Sequence, residues 1–133
     1  MKLKPITEKD LDFARKLRND NREYFFNQEI IRPLAQLNWF MGILGTLDYW
    51  FYIIWDKKRI GTISYKLKNG IGEVGNVVID KKYRKKGYLK LAFEELLKLH
   101  KEKMCLKVIP SNINAILAYE ALGFKEKERI LWK

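Results

Sequence analysis

A run of basic residues, followed by a glycine and an amphipathic segment, is the part of the sequence best suited to chemistry. A β-branched run at residues 77–79 precedes it, and apolar residues recur at helical spacing after Gly87. This order predicts a strand, a short loop and a helix. The first N–H groups of a helix lack intrahelical partners and favour a phosphate. With Arg84, Lys85 and Lys86 beside them, the junction predicts a phosphate site, although many basic runs are ordinary solvated turns.

The composition describes one basic domain. The 133 residues include 27 Lys and Arg against 16 Asp and Glu, a net charge of +11. An excess of this size favours an anionic ligand, nucleic acid or an anionic surface. The single cysteine, Cys105, excludes an internal disulfide and fits a reducing cytosol. The longest apolar run, residues 49–55, is far shorter than the ~18 residues of a membrane span. We therefore expect a single domain over residues 1–133, located in the cytoplasm and without a membrane partner.

Helical and strand patterns alternate along the chain. The predicted strands are residues 2–6, 49–55, 59–67, 71–79, 104–109 and 124–132, and the predicted helices are residues 8–19, 34–44, 86–103 and 114–122. Thr7 and Asp10 form a capping-box pattern before the first helix, and Asn69-Gly70 is a hairpin turn signal. The order predicts an α/β (α+β) fold, in which a mixed central sheet of about six strands has helices on both faces.

Two stretches carry a resemblance to a known superfamily. The sequence RKKGYL at residues 84–89 resembles the Arg/Gln-x-x-Gly-x-Gly/Ala pyrophosphate loop of the GNAT superfamily of acyl-CoA-dependent N-acyltransferases, with Leu89 in place of the small residue. The sequence NINAILAYEALGF at residues 112–124 is similar to the second signature of that family, Asn-x-x-Ala-x-x-x-Tyr-x-x-x-Gly-Phe. Both occur in the family's order, with a predicted helix and strand between them. The resemblance implies the GNAT fold and acetyl-CoA as cosubstrate.

The resemblance also implies which residues hold the coenzyme. The fourth and fifth strands form a parallel pair that splays apart, so that free backbone groups of the fourth strand pair with the pantetheine arm. The N–H groups of residues 85–89 would bind the pyrophosphate. Asn112 would either bind the pantetheine or cap its helix, and both alternatives stay open. The implied coenzyme-binding residues are Val77, Val78, Ile79, Arg84, Lys85, Lys86, Gly87, Tyr88, Leu89, Asn112 and Tyr119.

The catalytic groups are inferred from the same resemblance. Tyr119 occupies the general-acid position and would protonate the leaving thiolate, unless its ring only packs. A backbone N–H near Val78 would stabilise the oxyanion formed on amine attack. Glu73 and Asn76 are candidates to deprotonate or orient the amine, although the amine can also lose its proton through water. His100, the only histidine, is expected to be a surface or packed residue.

The acceptor is expected to be recognised by residues that precede the second strand. Residues 17–19, 26–30 and 37–40 are similar to the subgroup that acetylates nucleotide-linked amino sugars and to the ribosomal-protein acetyltransferases. A nucleotide-linked amino sugar is therefore the first expected acceptor, and a protein N-terminus, an antibiotic or a polyamine is the alternative. Only one strand is expected from Phe124 onward, where the family has a hairpin. Either one wall of the acceptor cleft is then shorter, or a partner subunit in a homodimer completes it. The distant alternative is a noncatalytic basic module that binds nucleic acid, but the basic residues are scattered and match no nucleic-acid motif, so we expect no such partner.

Overall fold

The computed structural model describes residues 1–126, which form a five-stranded mixed sheet with helices on both faces. The strands, in spatial order, are β1 (Lys2–Pro5), β2 (Tyr49–Trp55), β3 (Arg59–Lys68), β4 (Ile71–Ile79) and β5 (Lys103–Leu106). The helices are α1 (Leu11–Asp20), α2 (Pro33–Ile43), α3 (Tyr88–Leu99) and α4 (Ile113–Ala121). The predicted α/β class and order of elements are confirmed. Most of the sixth strand, predicted at residues 124–132, lies outside the described residues, and residues 124–126 are in no strand.

The first four strands pair antiparallel, and β5 lies parallel to β4 at the edge of the sheet. The predicted turn between β3 and β4 is confirmed. Asn69 and Gly70 have φ angles of 53° and 77°, and two successive positive φ angles fit the twist of a tight hairpin. Short turns join β2 to β3 and β3 to β4, whereas helices lie between β1 and β2 and between β4 and β5, and the order of the strands in the sheet is their order in the chain.

Two helical layers cover the sheet. On one face, α3 buries Ala92, Phe93 and Leu96 against apolar side chains of the central strands, including Tyr52, Ile54, Ile63, Tyr65 and Val74. Burial of one such side chain, Leu96, stabilises the fold by about 2 kcal/mol. The other face is covered by α1, which contacts β3 and β4 and packs against α2. The buried side chain of Gln36 joins these two helices, because its Nε2 donates to the carbonyl of Leu11 at 2.6 Å.

The start of the first helical segment is held by the predicted capping box. The carboxylate of Asp10 accepts hydrogen bonds from the backbone N–H of Thr7 at 2.8 Å and from Arg59 Nε at 2.9 Å. Burial raises the pKa of Asp10, but these hydrogen bonds outweigh burial and leave the pKa below its ordinary value. The cap therefore also attaches the entrance of α1 to β3.

Helix α3 is shorter than predicted. The predicted segment was residues 86–103, whereas the helix begins at Tyr88 and ends at Leu99. It cannot begin earlier because Gly87 is left-handed, with a φ of 82°. It ends because His100 becomes extended and its ring enters the core, where it stacks on Tyr65 at 3.9 Å. The prediction for the fifth strand, residues 104–109, was also wrong at its end, since β5 stops at Leu106.

His100 makes the stability of the fold depend on pH. Its side chain is buried, and its Nε2 lies 2.9 Å from the hydroxyl of Tyr52. Burial lowers the pKa of His100 below 6.5, although Glu102 opposes the shift. The folded state therefore binds this proton less readily than the unfolded state. The stabilisation is fully present above the unfolded pKa of 6.5 and is lost as the pH falls through the folded pKa.

We expect the free energy of unfolding to decrease between pH 7.5 and pH 5 by more in the wild type than in His100→Phe. Carboxylates titrate in both proteins, so the difference between the two pH profiles reports on the imidazole. Urea denaturation followed by circular dichroism at several pH values measures it. Parallel profiles would show that His100 titrates equally in the folded and unfolded states.

Candidate active site

The parallel pairing of β4 with β5 ends part of the way along β4. They pair from Ile71 with Lys103 to Val74 with Leu106, and the ladder ends there. β4 continues to Ile79, whereas the chain after Leu106 leaves the strand conformation. The pairing therefore ends in the region where a splay was predicted, but it ends because β5 itself stops, and residues 107–109, predicted to border the opening, are not a strand. Residues 75–79 of β4 consequently have no partner on β5.

A β-bulge lies at the start of this unpaired segment. Thr62 pairs with Val78 and Ser64 pairs with Gly75, so one residue of β3 is opposite two residues of β4, Asn76 and Val77. Asn76 has a φ of 49°, which is left-handed and uncommon for a residue other than glycine. The bulge brings β4 so close to β3 that a Cβ atom on Gly61 would collide with the carbonyl oxygen of Val78. The bulge therefore sets the direction of the backbone at Val77 and Val78.

Hydrogen bonds from three other elements hold Asn76 in place. Its Oδ1 accepts from Arg18 Nη1 at 2.9 Å, and its Nδ2 donates to Ser64 Oγ at 3.0 Å and to the hydroxyl of Tyr49 at 3.4 Å. Its backbone carbonyl accepts from Thr62 Oγ1 at 2.6 Å. We call Arg18, Tyr49, Thr62, Ser64 and Asn76 the Asn76 network. Both polar atoms of the Asn76 amide are bound within it, and a role for Asn76 in orienting the amine stays a prediction.

The charge of Arg18 is only partly solvated. Burial lowers the pKa of Arg18, and burial raises the pKa of the neighbouring Tyr49 hydroxyl against opposing hydrogen bonds from Ser64 and Asn76. Both shifts identify the Asn76 network as a region of low dielectric. Hydrogen bonds and charges there act more strongly than they would in water.

The loop between β4 and α3 turns sharply and has exposed basic side chains. A 3-10 turn, Lys81–Tyr83, follows Asp80, and the chain then enters the left-handed region at Lys85 and again at Gly87, with φ angles of 62° and 82°. Leu91 donates to the carbonyl of Gly87 at 3.2 Å. The N–H groups of residues 88–90 therefore have no partner within the first turn of α3. The assignment of the pyrophosphate to the N–H groups of residues 85–89 stays a prediction.

The side chains of the loop divide into two groups. Lys85 and Lys86 are exposed. Arg84 instead attaches the loop to its surroundings, because Nε donates to the carbonyl of Ile79 at 3.0 Å and Nη2 donates to Asn21 Oδ1 at 2.7 Å. Free N–H groups, two left-handed residues and two exposed cations fit a diphosphate.

The last two residues of the first motif, at the start of α3, face the protein. The hydroxyl of Tyr88 donates to Asp56 Oδ2 in the turn between β2 and β3, at 2.6 Å. That hydrogen bond raises the pKa of Tyr88 and lowers the pKa of Asp56. Leu89 packs against the core cluster, which explains how a larger side chain is accommodated where the motif has a small one.

The second motif forms α4 and places Tyr119 in an aromatic cluster. The ring of Tyr119 meets Phe93 at 6.0 Å and Phe124 at 6.2 Å, both edge to face. Burial raises the pKa of Tyr119 to about 12, so the phenol is fully protonated at neutral pH. Asn112 caps α4, because its Oδ1 accepts from the N–H of Ala115 at 3.4 Å. Of the two roles considered for Asn112, helix capping is therefore observed.

Residues 14–124 of the sequence match the acetyltransferase (GNAT) family. The chain belongs to this family. As a GNAT acetyltransferase it is an enzyme that uses acetyl-CoA as cosubstrate, and the residues of the β4–α3 loop fit the diphosphate of that molecule.

Solved structures with the same fold have different sequences. A possible acetyltransferase from Clostridium difficile 630 is 20% identical, with a TM-score of 0.78 over 99% of this chain and 95% of that chain. The aminoglycoside 6'-N-acetyltransferase AAC(6')-IG from Acinetobacter haemolyticus is 16% identical, with a TM-score of 0.74 over 100% and 97%. AAC(6')-Iy in complex with a bisubstrate analog, CoA-S-monomethyl-acetylneamine, is 19% identical, with a TM-score of 0.76 over 98% and 95%. No curated protein matches the sequence.

Glu73 lies outside the open part of the GNAT sheet. It is exposed on the paired half of β4, where it is opposite Lys66 of β3 and Cys105 of β5. Its role as a base therefore stays a prediction. The described residues contain no group of three or more His, Cys, Asp or Glu side chains that could hold a metal ion. None of the helices in residues 1–126 has the length and hydrophobicity required to cross a bilayer.

Sequence reasoning did not identify most of the Asn76 network. The sequence places Arg18 only in a segment similar to acceptor-binding ones, and its pattern predicts Tyr49, Thr62 and Ser64 as ordinary strand residues. The hydrogen bond from Arg18 joins residues 58 positions apart. A single sequence offers no local signal for such a contact.

Proposed function

We propose that the protein transfers an acetyl group from acetyl-CoA directly to a primary amine. The amine nitrogen forms a bond to the thioester carbonyl carbon, the carbon–sulfur bond breaks, and coenzyme A leaves as the thiol after taking up the proton that the amine loses. The observation that carries the proposal is the edge of β4 after Val74, which β5 does not cover. A free strand edge is suited to the pantetheine arm, and the start of α3 is suited to the diphosphate.

A direct transfer is favoured over an acyl-cysteine intermediate. Cys105 is exposed on β5, in the paired half of the sheet. Burial of its sulfur and the nearby Glu73 raise the pKa of the Cys105 thiol, with Lys107 opposing them. A raised pKa decreases the thiolate fraction, which is the nucleophilic form. We therefore assign no covalent role to this residue.

We assign the coenzyme contacts to the chain as follows. The unpaired edge of β4 at Val77, Val78 and Ile79 pairs with the pantetheine amides, and a backbone N–H near Val78 stabilises the oxyanion. The N–H groups at the start of α3, with Lys85 and Lys86, bind the diphosphate. These roles are supported by the ladder that ends at Val74 and by the conformation of the loop.

Tyr119 acts on the leaving sulfur in this proposal. Its pKa of about 12 lies above that of an ordinary thiol, about 8.5. Complete proton transfer to a thiolate would therefore be uphill by about 5 kcal/mol. A hydrogen bond from the phenol to the developing thiolate has no such cost, and the proton lost by the amine completes the neutralisation. Tyr119 is accordingly a donor that stabilises the departing sulfur.

The proposed acceptor is anionic, and a nucleotide-linked amino sugar is the first candidate. A net charge of +11 attracts negatively charged substrates and repels polycations such as aminoglycosides and polyamines. A protein N-terminus is the second candidate. The proposed location is the cytoplasm, supported by the single cysteine of the sequence.

We expect a nucleotide-linked amino sugar to show a kcat/KM at least about tenfold above that of an aminoglycoside at low ionic strength, and the ratio to decrease at 0.5 M salt. The measurement is thiol release from acetyl-CoA with a panel of amines that also includes polyamines and peptides. A faster reaction with the polycations would reject the anionic acceptor. If no amine releases thiol, acetyl-CoA causes no thermal shift and the protein is retained on nucleic acid in a salt-dependent manner, the binding-module alternative is supported.

A further inference from the structure

The bulge in β4 is held in an unfavourable backbone conformation by side chains that lie far apart in the sequence. Asn76 is left-handed without being a glycine, and the Asn76 network supplies it with hydrogen bonds from α1, β2 and β3. Such conformations persist only when the surroundings impose them, and they concentrate at functional sites. Val77 and Val78, which follow directly, have the backbone groups proposed above to act on the thioester.

Arg18 joins this bulge to the segment between α1 and α2. Its Nη2 donates to the carbonyl of Asn27 at 3.3 Å, and its guanidinium carbon lies 3.5 Å from the centroid of the Phe25 ring. This segment precedes β2 and belongs to the region whose sequence resembles acceptor-binding segments. The same side chain therefore contacts the proposed acceptor region and the proposed catalytic strand.

The burial of the Arg18 guanidinium destabilises the fold, which a purely structural role does not explain. Within the described residues its guanidinium has no carboxylate partner, and its buried Nε has no hydrogen-bond partner. A buried donor that lacks a partner destabilises a fold and calls for an explanation. A neutral side chain could fill the same space at a lower cost. The retained charge is explained if the hydrogen bond to Asn76 serves catalysis.

We propose that Arg18 is a positioning residue, which acts through Asn76 to hold the β4 bulge in the conformation that acetyl transfer requires. It also links that conformation to residues 25–27 on the acceptor side. The inference rests on the proposed function, because the bulge matters only if the backbone at Val77 and Val78 aligns the thioester. Misplacement of a catalytic group by 1 Å can lower a rate about 100-fold.

The kinetic test compares Arg18→Met with Arg15→Met. Arg15 lies on the same helix but contacts Asp12 and Gln36, so it controls for the loss of an arginine from α1. With a nucleotide-linked amino sugar as the acceptor probe, we expect Arg18→Met to lower kcat at least tenfold and to leave the KM for acetyl-CoA within twofold of wild type. Arg18→Lys, which keeps a donor but not the planar fork, should recover part of the rate. Arg15→Met should retain the wild-type kcat.

A double variant tests whether Arg18 acts through Asn76. Asn76→Gly removes the side chain while glycine tolerates the positive φ. We expect it to lower kcat by a similar factor, and the combination with Arg18→Met to cause no further decrease, because both changes break one interaction. If the decrease in kcat of the double variant equals the product of the two single decreases, Arg18 has a role separate from Asn76 and the proposal is overturned.

Amide hydrogen exchange tests the bulge without any acceptor. Arg18→Met should accelerate exchange at residues 76–79 at least tenfold, while Arg15→Met should leave it unchanged. Wild-type exchange at these amides in Arg18→Met would overturn the inference, as would an acceleration that extends over the whole sheet with an equal loss of stability. If the wild type releases no thiol with any amine, the proposed function fails, and the exchange experiment still decides whether Arg18 holds the bulge.

Discussion

Replacement of Tyr119 by phenylalanine is expected to lower kcat about 100-fold, a typical effect of losing one preorganised hydrogen-bond donor to a charge that develops in the transition state. The KM for acetyl-CoA should stay within about twofold, because the phenyl ring keeps the edge-to-face contacts with Phe93 and Phe124. The free energy of unfolding should change little, since the Tyr119 hydroxyl forms no hydrogen bond within residues 1–126 that the substitution would break. Steady-state thiol release and thermal denaturation measure these quantities.

A matched control variant separates this role from simple packing. Because the pKa of Tyr119 is about 12, its deprotonation should not decrease kcat between pH 7 and pH 10. Tyr52→Phe is the matched control, since Tyr52 is also a buried core tyrosine but its hydroxyl lies against His100, on another element. That variant should lose stability and retain kcat. A Tyr119→Phe enzyme with wild-type turnover would remove the proposed role of the phenol.

Replacement of Gly87 by valine is expected to weaken coenzyme A binding at least about tenfold, or about 1.4 kcal/mol. A Cβ atom at this position meets no neighbouring atom, so the effect is not a steric collision. It comes from the φ of 82°, which costs an L-residue about 1–2 kcal/mol. The loop relieves this strain by leaving the left-handed conformation, which reorients the N–H groups of residues 88–90. Isothermal titration with coenzyme A measures the affinity.

Gly45→Val is the matched control for backbone strain. Gly45 has a φ of 84°, and a Cβ atom there also meets open space, but it follows α2 and lies outside the loop. Both variants should lose a similar amount of stability, whereas only Gly87→Val should lose affinity. Equal affinities in the two variants would show that the diphosphate binds elsewhere.

The local parts of the fold could be predicted because each depends on residues within a few positions of one another. Asn69-Gly70 specifies its hairpin through two positive φ angles. Gly87, which is left-handed, prevents α3 from beginning earlier in the chain. The apolar spacing after Gly87 is enough to predict a helix with its start at a basic loop. The order of elements and the candidate diphosphate site therefore follow from sequence, whereas the role of each residue there awaits the experiments above.

The sequence by itself determined the α/β order, the turns and the basic loop before α3. Only the tertiary structure decided that α3 stops at Leu99, that the β4–β5 ladder stops at Val74, and that Arg18 reaches Asn76. The helix ends at Leu99 because the ring of His100 contacts Tyr52 and Tyr65, which lie on two strands that are far from His100 in the sequence. Such contacts form between side chains brought together by folding, and no spacing along the chain encodes which of them will meet.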